Sequence, residues 1–334
     1  MRFTLPLRLA ALALAGAASF AAPAGSPAPQ AGAQVEAQLA EWKDAKRARV
    51  VPVKILTPAG EGEPLPVILF SHGLGGTREG GAAWGRHWAA HGFIVVHLQH
   101  PGSDESLWAD RRGQPAEAFK ALKSGATLAQ FRARIEDVKF ALDEMARRKA
   151  EGDRTMRRAD LSRVGMSGHS FGSQTTLALA GQRFVRASGA EPLLLEPRVK
   201  AALALSPSSR SRARPLEWQF GSIRIPVLCI TGTRDGDLIG DGMTPEARAK
   251  PFEHMPPPGK YLAVFEGGDH RVFGGQEMRG TATGRNARIQ DDVKALSLAF
   301  WNAHLKRDAS ARAWLDGSGA RSLLQPGDRF DAKP

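Results

Sequence analysis

A single cysteine in 334 residues excludes an intrachain disulfide. That residue, Cys229, lies inside the apolar run 225–230, where a thiol reads as core packing rather than as a nucleophile or ligand. Long hydrophobic runs are also missing: the stretch 9–15 is too short to span a bilayer. No internal repeat is visible. An apolar fraction of 42% and a charged fraction of 24% fit neither a disordered chain nor a membrane bundle. The formal net charge of +12 invites a nucleic-acid reading, but aromatic residues that could stack on bases are not interleaved with the basic clusters Arg147-Arg148-Lys149 and Arg210-Ser211-Arg212-Ala213-Arg214. A solvated basic surface is the expectation, with no nucleic-acid partner and no stable membrane insertion.

At the N-terminus, Arg2 and Arg8 precede the apolar stretch, and small residues follow around Ser19 and Ala21. Residues 1–22 therefore read as a secretory signal, which implies export to the periplasm or medium. No cysteine follows to accept a lipid anchor. Residues 23–49 read as a leader, 50–310 as one catalytic domain and 311–334 as a C-terminal tail. Within the domain, continuous apolar runs at 66–71, 93–98, 199–205, 225–230 and 261–265 alternate with helical patterns at 84–90, 127–148 and 286–305. In the helix at 127–148, Phe131, Ile135, Val138, Leu142 and Met145 form one face, with the charges expected on the other. The alternation predicts an α/β fold: a mainly parallel sheet with helices on both faces. Pro52 suggests an edge position for the first strand, near 50–56. Residues 105–125 lack a clean period and read as a lid or loop.

The chemistry centres on Gly168-His169-Ser170-Phe171-Gly172, a Gly-x-Ser-x-Gly pattern between a short strand and a helix. Such a turn holds its serine in a strained conformation, and glycine at both flanks lets strand and helix approach closely. A serine hydroxyl alone is a poor nucleophile; it needs a histidine to take its proton and an acid to orient that histidine. Two later strands end in suitable loops, one with Asp235 and Asp237 and the other with His270. Ser170 is thus the candidate nucleophile, His270 the general base and acid, and Asp235 the orienting carboxylate, with Asp237 as the alternative. An oxyanion hole would need two N–H donors. Phe171 N–H, just after the nucleophile, and Leu74 N–H, in the glycine-rich stretch 72–76, are the candidates. His72 and His169 read as structural neighbours, and His254 and His304 as poorer bases. Trp84, Trp108 and Phe273 flank these loops and are candidates to line an acyl pocket.

In this order the motifs resemble the serine-dependent α/β-hydrolases over roughly residues 50 to 305. The segments Phe70-Ser71-His72-Gly73-Leu74-Gly75, Ala90-His91-Gly92-Phe93-Ile94-Val95 and the elbow look like the platelet-activating factor acetylhydrolase and dienelactone-hydrolase-like branch. The resemblance implies a secreted, metal-free esterase without cofactors, with Ser170, Asp235 and His270 as triad and Leu74 and Phe171 as oxyanion donors. The chain departs from dienelactone hydrolases in having serine, not cysteine, at the elbow. It departs from cutinase-type polyester hydrolases at Phe171, in the loop Leu205-Ser206-Pro207-Ser208, and in having only one cysteine. The expectation is a carboxylic ester hydrolase for short- to medium-acyl or lipid-like esters. Polyester or amide hydrolysis on the same fold and a non-catalytic binding protein are the other readings, and the oligomeric state stays open.

Overall fold

The computed structural model describes residues 32–186, 189–190, 194–209, 214–236, 240, 242–277 and 284–334. The expected signal segment, the basic residues at 210–212 and Asp237 lie outside the described residues. In chain order the elements are β1 (Val35–Asp44), β2 (Arg49–Pro58), β3 (Leu65–Ser71), α1 (Ala82–Ala90), β4 (Ile94–Leu98), α2 (Pro115–Gly125), α3 (Leu128–Ala150), β5 (Ala159–His169) and α4 (Phe171–Leu179). A short pair follows, β6 (Val185–Arg186) and β7 (Gly189–Ala190), then β8 (Val199–Leu205), α5 (Leu216–Phe220), β9 (Val227–Arg234), α6 (Lys250–His254) and β10 (Lys260–Asp269). The chain closes with α7 (Arg285–Leu305), α8 (Ala309–Asp316), α9 (Gly319–Leu323) and β11 (Arg329–Lys333).

Nine strands form one sheet in the order β1-β2-β4-β3-β5-β8-β9-β10-β11. Its six central strands, from β4 to β10, are parallel, and antiparallel strands flank them at both sides. This is the α/β-hydrolase fold. Because both faces of the sheet are covered, β3 is apolar without a break: Val67 and Leu69 pack toward α3, while Ile68 and Phe70 pack toward α1 and α7. Helix α3 starts where Thr127 Oγ1 accepts the Gln130 N–H at 3.2 Å, a side-chain N-cap. Its apolar stripe, Phe131, Ile135, Val138, Leu142 and Met145, is buried against the sheet. Parallel strands all deliver their C-terminal ends to one edge, where ligands bind in such sheets. The loops after β3, β5, β9 and β10 therefore meet there.

Four expectations need correction. The sheet begins at Val35 rather than near Val50, because β1 pairs along its whole length with β2. Strand β2 is not at the edge: it lies between β1 and β4. Pro52 is tolerated because the β4 ladder stops at Val53, beyond which only the Pro52 carbonyl is used, accepting the Gln99 N–H at 2.8 Å. Residues 311–334 are not a loose tail, since α8 packs on α7 through Ala311, Trp314 and Leu315, and β11 pairs with β10. Finally, the segment 105–125 is not a plain loop: it carries a helix, α2, with Pro115 in its first turn, and Phe119 and Leu122 of that helix line the same cavity as Ser170, as the lid alternative had it.

Candidate active site

The turn between β5 and α4 sets Ser170 at φ 56°, ψ −113°, a positive-φ conformation outside the left-handed helical basin that a non-glycine residue holds at a cost of about 1–3 kcal/mol. Neighbouring bonds hold it there. Ser170 N–H donates to Leu205 O at 3.0 Å, and Ser173 Oγ–H donates to Ser170 O at 2.6 Å. The two flanking glycines are obligatory in space. A Cβ on Gly168 would stand 2.4 Å from Gly172 O, and one on Gly172 would stand 1.9 Å from Ser71 O. The spacing read from sequence is thus a statement about how closely β5, α4 and β3 approach.

His270 follows β10 and Asp235 follows β9, and the two side chains meet: His270 Nδ1 donates to Asp235 Oδ1 at 2.6 Å. This tautomer leaves Nε2 as the proton-accepting face. Asp235 is fully buried. Burial alone would raise its pKa, but the His270 hydrogen bond and the Arg248 charge outweigh it, so the carboxyl sits below its usual range. Thr231 Oγ1–H donates to the other oxygen, Oδ2, at 2.8 Å, and Arg248 Nε lies 2.8 Å from Oδ1. The acid is therefore ionised and fixed. Among the described residues Ser170 Oγ forms no hydrogen bond to His270, although both side chains line one cavity. Looseness of this kind is ordinary before a substrate is bound.

That cavity has a volume of about 550 Å³. Leu74 and Phe171 line it beside Ser170, and among the described residues neither of their backbone N–H groups donates to a backbone carbonyl. Both amides thus lack a backbone partner, which an oxyanion hole built from them would require. The apolar wall comes from Phe119 and Leu122 of α2. The aromatic residues expected there are placed otherwise. Trp84 and Phe273 are fully buried in the core, with Trp84 Nε1–H donating to Phe273 O at 3.1 Å, and Trp108 Nε1–H is spent on Gly75 O at 2.7 Å. A backbone carbonyl thus takes up the indole N–H of the buried Trp84 and of the partly buried Trp108.

The other histidines have structural partners. His169 Nε2–H donates to His270 O at 2.9 Å and so steadies the backbone of the base. Burial and the nearby His270 push its pKa down to about 3, so it stays neutral. His254 pairs with Glu217 at 2.9 Å, and His304 packs among Tyr261 and Phe300. Sequence reasoning missed Thr231 and Arg248, whose roles appear only when β9 and the α6 region come together. It also placed the charges of α3 outside. Both Arg134 and Asp137 are fully buried: Arg134 lies three residues after Phe131 and four before Val138, and Asp137 three after Arg134 and four before the buried Ala141, so helical spacing was the available signal. Among the described residues no cluster of three His, Cys, Asp or Glu could hold a metal ion, and no helix is long and apolar enough to cross a membrane.

Comparison with known proteins agrees with the fold. A family model described as platelet-activating factor acetylhydrolase, isoform II, matches residues 44–158, from the end of β1 to just before β5. The platelet-activating factor acetylhydrolase of Cavia porcellus is 33% identical over 152 residues, covering 38% of this chain and 34% of that protein. Cutinase 2 of Thermobifida cellulosilytica is 28% identical over 199 residues, covering 60% and 57%. A cutinase of Thermobifida fusca (strain YX) is 28% identical over 199 residues, covering 60% and 47%. The chain thus spans less than two thirds of the length of these relatives. By its sheet and these matches, it has the α/β-hydrolase fold and, over part of its length, is similar to platelet-activating factor acetylhydrolases and to cutinases.

Proposed function

We propose that the protein is a carboxylic ester hydrolase working through an acyl-enzyme, with Ser170 as nucleophile, His270 as general base and acid, and Asp235 as its orienting carboxylate. The observation that carries this reading is the buried Asp235–His270 pair at 2.6 Å opening onto the same cavity as a serine held at φ 56°. In the acylation step His270 Nε2 takes the Ser170 proton as Oγ bonds to the substrate carbonyl carbon. The carbonyl oxygen becomes an oxyanion and is held by the N–H groups of Leu74 and Phe171. Collapse breaks the ester C–O bond, and His270 returns the proton to the departing alcohol. Water then enters by the same route, and hydrolysis of the acyl-enzyme releases the acid. The ionised Asp235 stabilises the imidazolium formed in each half.

The cavity suits esters with a short or medium acyl group, which would lie against Phe119 and Leu122. A second reading, polyester cleavage, draws on the cutinase matches, which cover more of the chain than the acetylhydrolase ones. The signal-like segment 1–22 supports export as part of the proposal. A p-nitrophenyl ester series from acetyl to decanoyl, run beside an insoluble aliphatic polyester film, tests these readings. Turnover falling with acyl length and no film erosion is the expected outcome. Film erosion with weak turnover of soluble esters would favour the second reading, and no turnover of any of these esters would contradict both.

A further inference from the structure

The residue least explained by the chemistry above is Arg134, a fully buried cation on α3 that does not line the cavity. A buried charge is costly unless its hydrogen-bonding capacity is met. Here it is met mainly by backbone carbonyls of two loops rather than by a direct carboxylate pair. Nη1–H donates to His72 O at 2.6 Å, Nη2–H donates to Gly73 O at 3.3 Å and Ser103 O at 3.1 Å, and Nε–H donates to Ser103 Oγ at 2.8 Å. The guanidinium also lies over the Phe171 ring, 4.5 Å from its centroid. One side chain therefore grips the loop that carries Leu74 and touches the residue that supplies the second amide.

The contact to Gly73 O matters because that carbonyl belongs to the peptide unit whose N–H is that of Leu74. In a trans peptide the C=O and N–H point in opposite directions. Holding the oxygen toward α3 therefore aims the Leu74 N–H away from α3. His72 reinforces the grip. Its Nε2 accepts the His100 backbone N–H at 3.0 Å, so its proton is on Nδ1 and is donated to Gly73 O at 2.6 Å. Burial and the Arg134 charge keep His72 neutral, which preserves that arrangement. Gly73 O also accepts the Gly76 N–H at 3.1 Å, and a carbonyl that accepts three donors polarises its own peptide, strengthening the N–H as a donor.

We infer that Arg134 is a positioning residue of the oxyanion hole: from behind the site it fixes the orientation of the 73–74 peptide and the seat of Phe171, so that both amides are preorganised for the tetrahedral oxyanion. The inference rests on the proposed roles of Leu74 and Phe171. Arg134 itself touches no reacting atom, and its effect is confined to steps in which negative charge develops on the substrate oxygen.

The test is Arg134→Lys, which keeps the charge but cannot span carbonyls of both loops and the Ser103 hydroxyl at once. Steady-state kinetics on p-nitrophenyl butyrate should show kcat reduced about tenfold to a hundredfold with KM within twofold, short of the loss seen when a whole oxyanion donor is removed. Inhibition by an arylboronic acid, whose serine adduct is a tetrahedral anion, should weaken by a similar factor. The acid limb of the pH–rate profile, which reports the His270–Asp235 pair, should not move. A folded Arg134→Lys enzyme with wild-type kcat and boronate affinity would overturn the inference, as would a fall in kcat matched by a shift of the acid limb. If Arg134→Lys does not fold, Ser103→Ala decides, because it removes the Nε acceptor and leaves the guanidinium. A severalfold loss of kcat at constant KM supports the positioning role, and unchanged kcat overturns it. A wild-type protein that hydrolyses no ester overturns the functional reading and the positioning role together, whereas an active wild type with indifferent variants overturns the positioning role alone.

Discussion

Among the described residues stand two Ser, His and Asp arrays, and the better-formed one is not the candidate catalytic site. Ser71, His100 and Asp137 form a continuous chain, with Ser71 Oγ to His100 Nε2 at 2.9 Å and His100 Nδ1 to Asp137 Oδ2 at 3.0 Å. All three side chains are fully buried. Ser170, His270 and Asp235 have only the His–Asp half closed, yet Ser170 and His270 face a cavity with two amides that lack a backbone partner. Ser71 ends a regular strand beneath the oxyanion loop, without access or strained backbone. The same three residue types are a structural brace in one place and a candidate machine in the other. What separates them is access, a backbone that projects the hydroxyl, and donors positioned for developing charge.

Substitutions that exchange the fates of the two arrays break this comparison most directly. Ser170→Ala should lower kcat by about 10⁴-fold or more while Tm stays at or above the wild-type value, since the strained position loses its function but not its packing. Ser71→Ala should change kcat less than tenfold. It should cost about 1–3 kcal/mol in urea unfolding, because the buried His100 Nε2 loses its partner. The acids should divide in the same way. Asp235→Asn is expected to reduce kcat by about 10⁴-fold with the fold intact, as the imidazole loses its orientation. Asp137→Asn should act on stability, by about 3–5 kcal/mol, since Arg47 Nη1 at 2.9 Å and Arg49 Nε at 2.7 Å would both lose a buried carboxylate. Equal loss of activity in both acid variants, at matched folded fraction, would erase the distinction.

Acid sharpens the comparison by a smaller effect. Burial depresses His97 and His100 to about 4 and His169 to about 3, so the native state holds them neutral while the unfolded chain takes up protons below about 6.5. The unfolded state then binds more protons, and Tm should fall as pH drops from about 6.5 toward 4. Asp137 adds a lower window. Burial opposes its ionisation, but the His100 hydrogen bond and the neighbouring Arg49 bring it to about 2, so its contribution is present above its ordinary value near 4 and lost as pH falls through about 2. In Asp137→Asn the lower step should shrink, leaving the part that Asp235 and the other paired carboxylates contribute. Calorimetry from pH 7 to 2 on both proteins reads each window.

The elbow half of the site was legible because its constraints are local. Gly168 and Gly172 are required because a Cβ at either would come within 3 Å of neighbouring backbone, and strand-end loops announced Asp235 and His270 through apolar runs followed by glycine. The central strands and the three long helical patterns were legible for the same reason, a clean period. Other features are tertiary. The half-exposed β1 carries no continuous apolar run, and β11 is only five residues long, so neither announces itself without its partner. Trp84 and Phe273 look like pocket residues in sequence because they flank the right loops, yet the core takes their rings. Arg134 sits at the border of the apolar stripe of α3 and Asp137 on its flank, and both were assigned to the solvent face because charge is usually there. Their burial is intelligible only once the carbonyls of His72, Gly73 and Ser103 and the side chains of His100, Arg47 and Arg49 are brought around them.

The most direct test of the central claim is to react the folded protein with a fluorophosphonate and map the adduct by peptide mass spectrometry. A single adduct on Ser170, lost in both Ser170→Ala and Asp235→Asn and retained in Asp137→Asn, is the expected result. An unlabelled Ser170 in an otherwise folded protein, or an adduct that survives Asp235→Asn at the wild-type rate, would contradict the account.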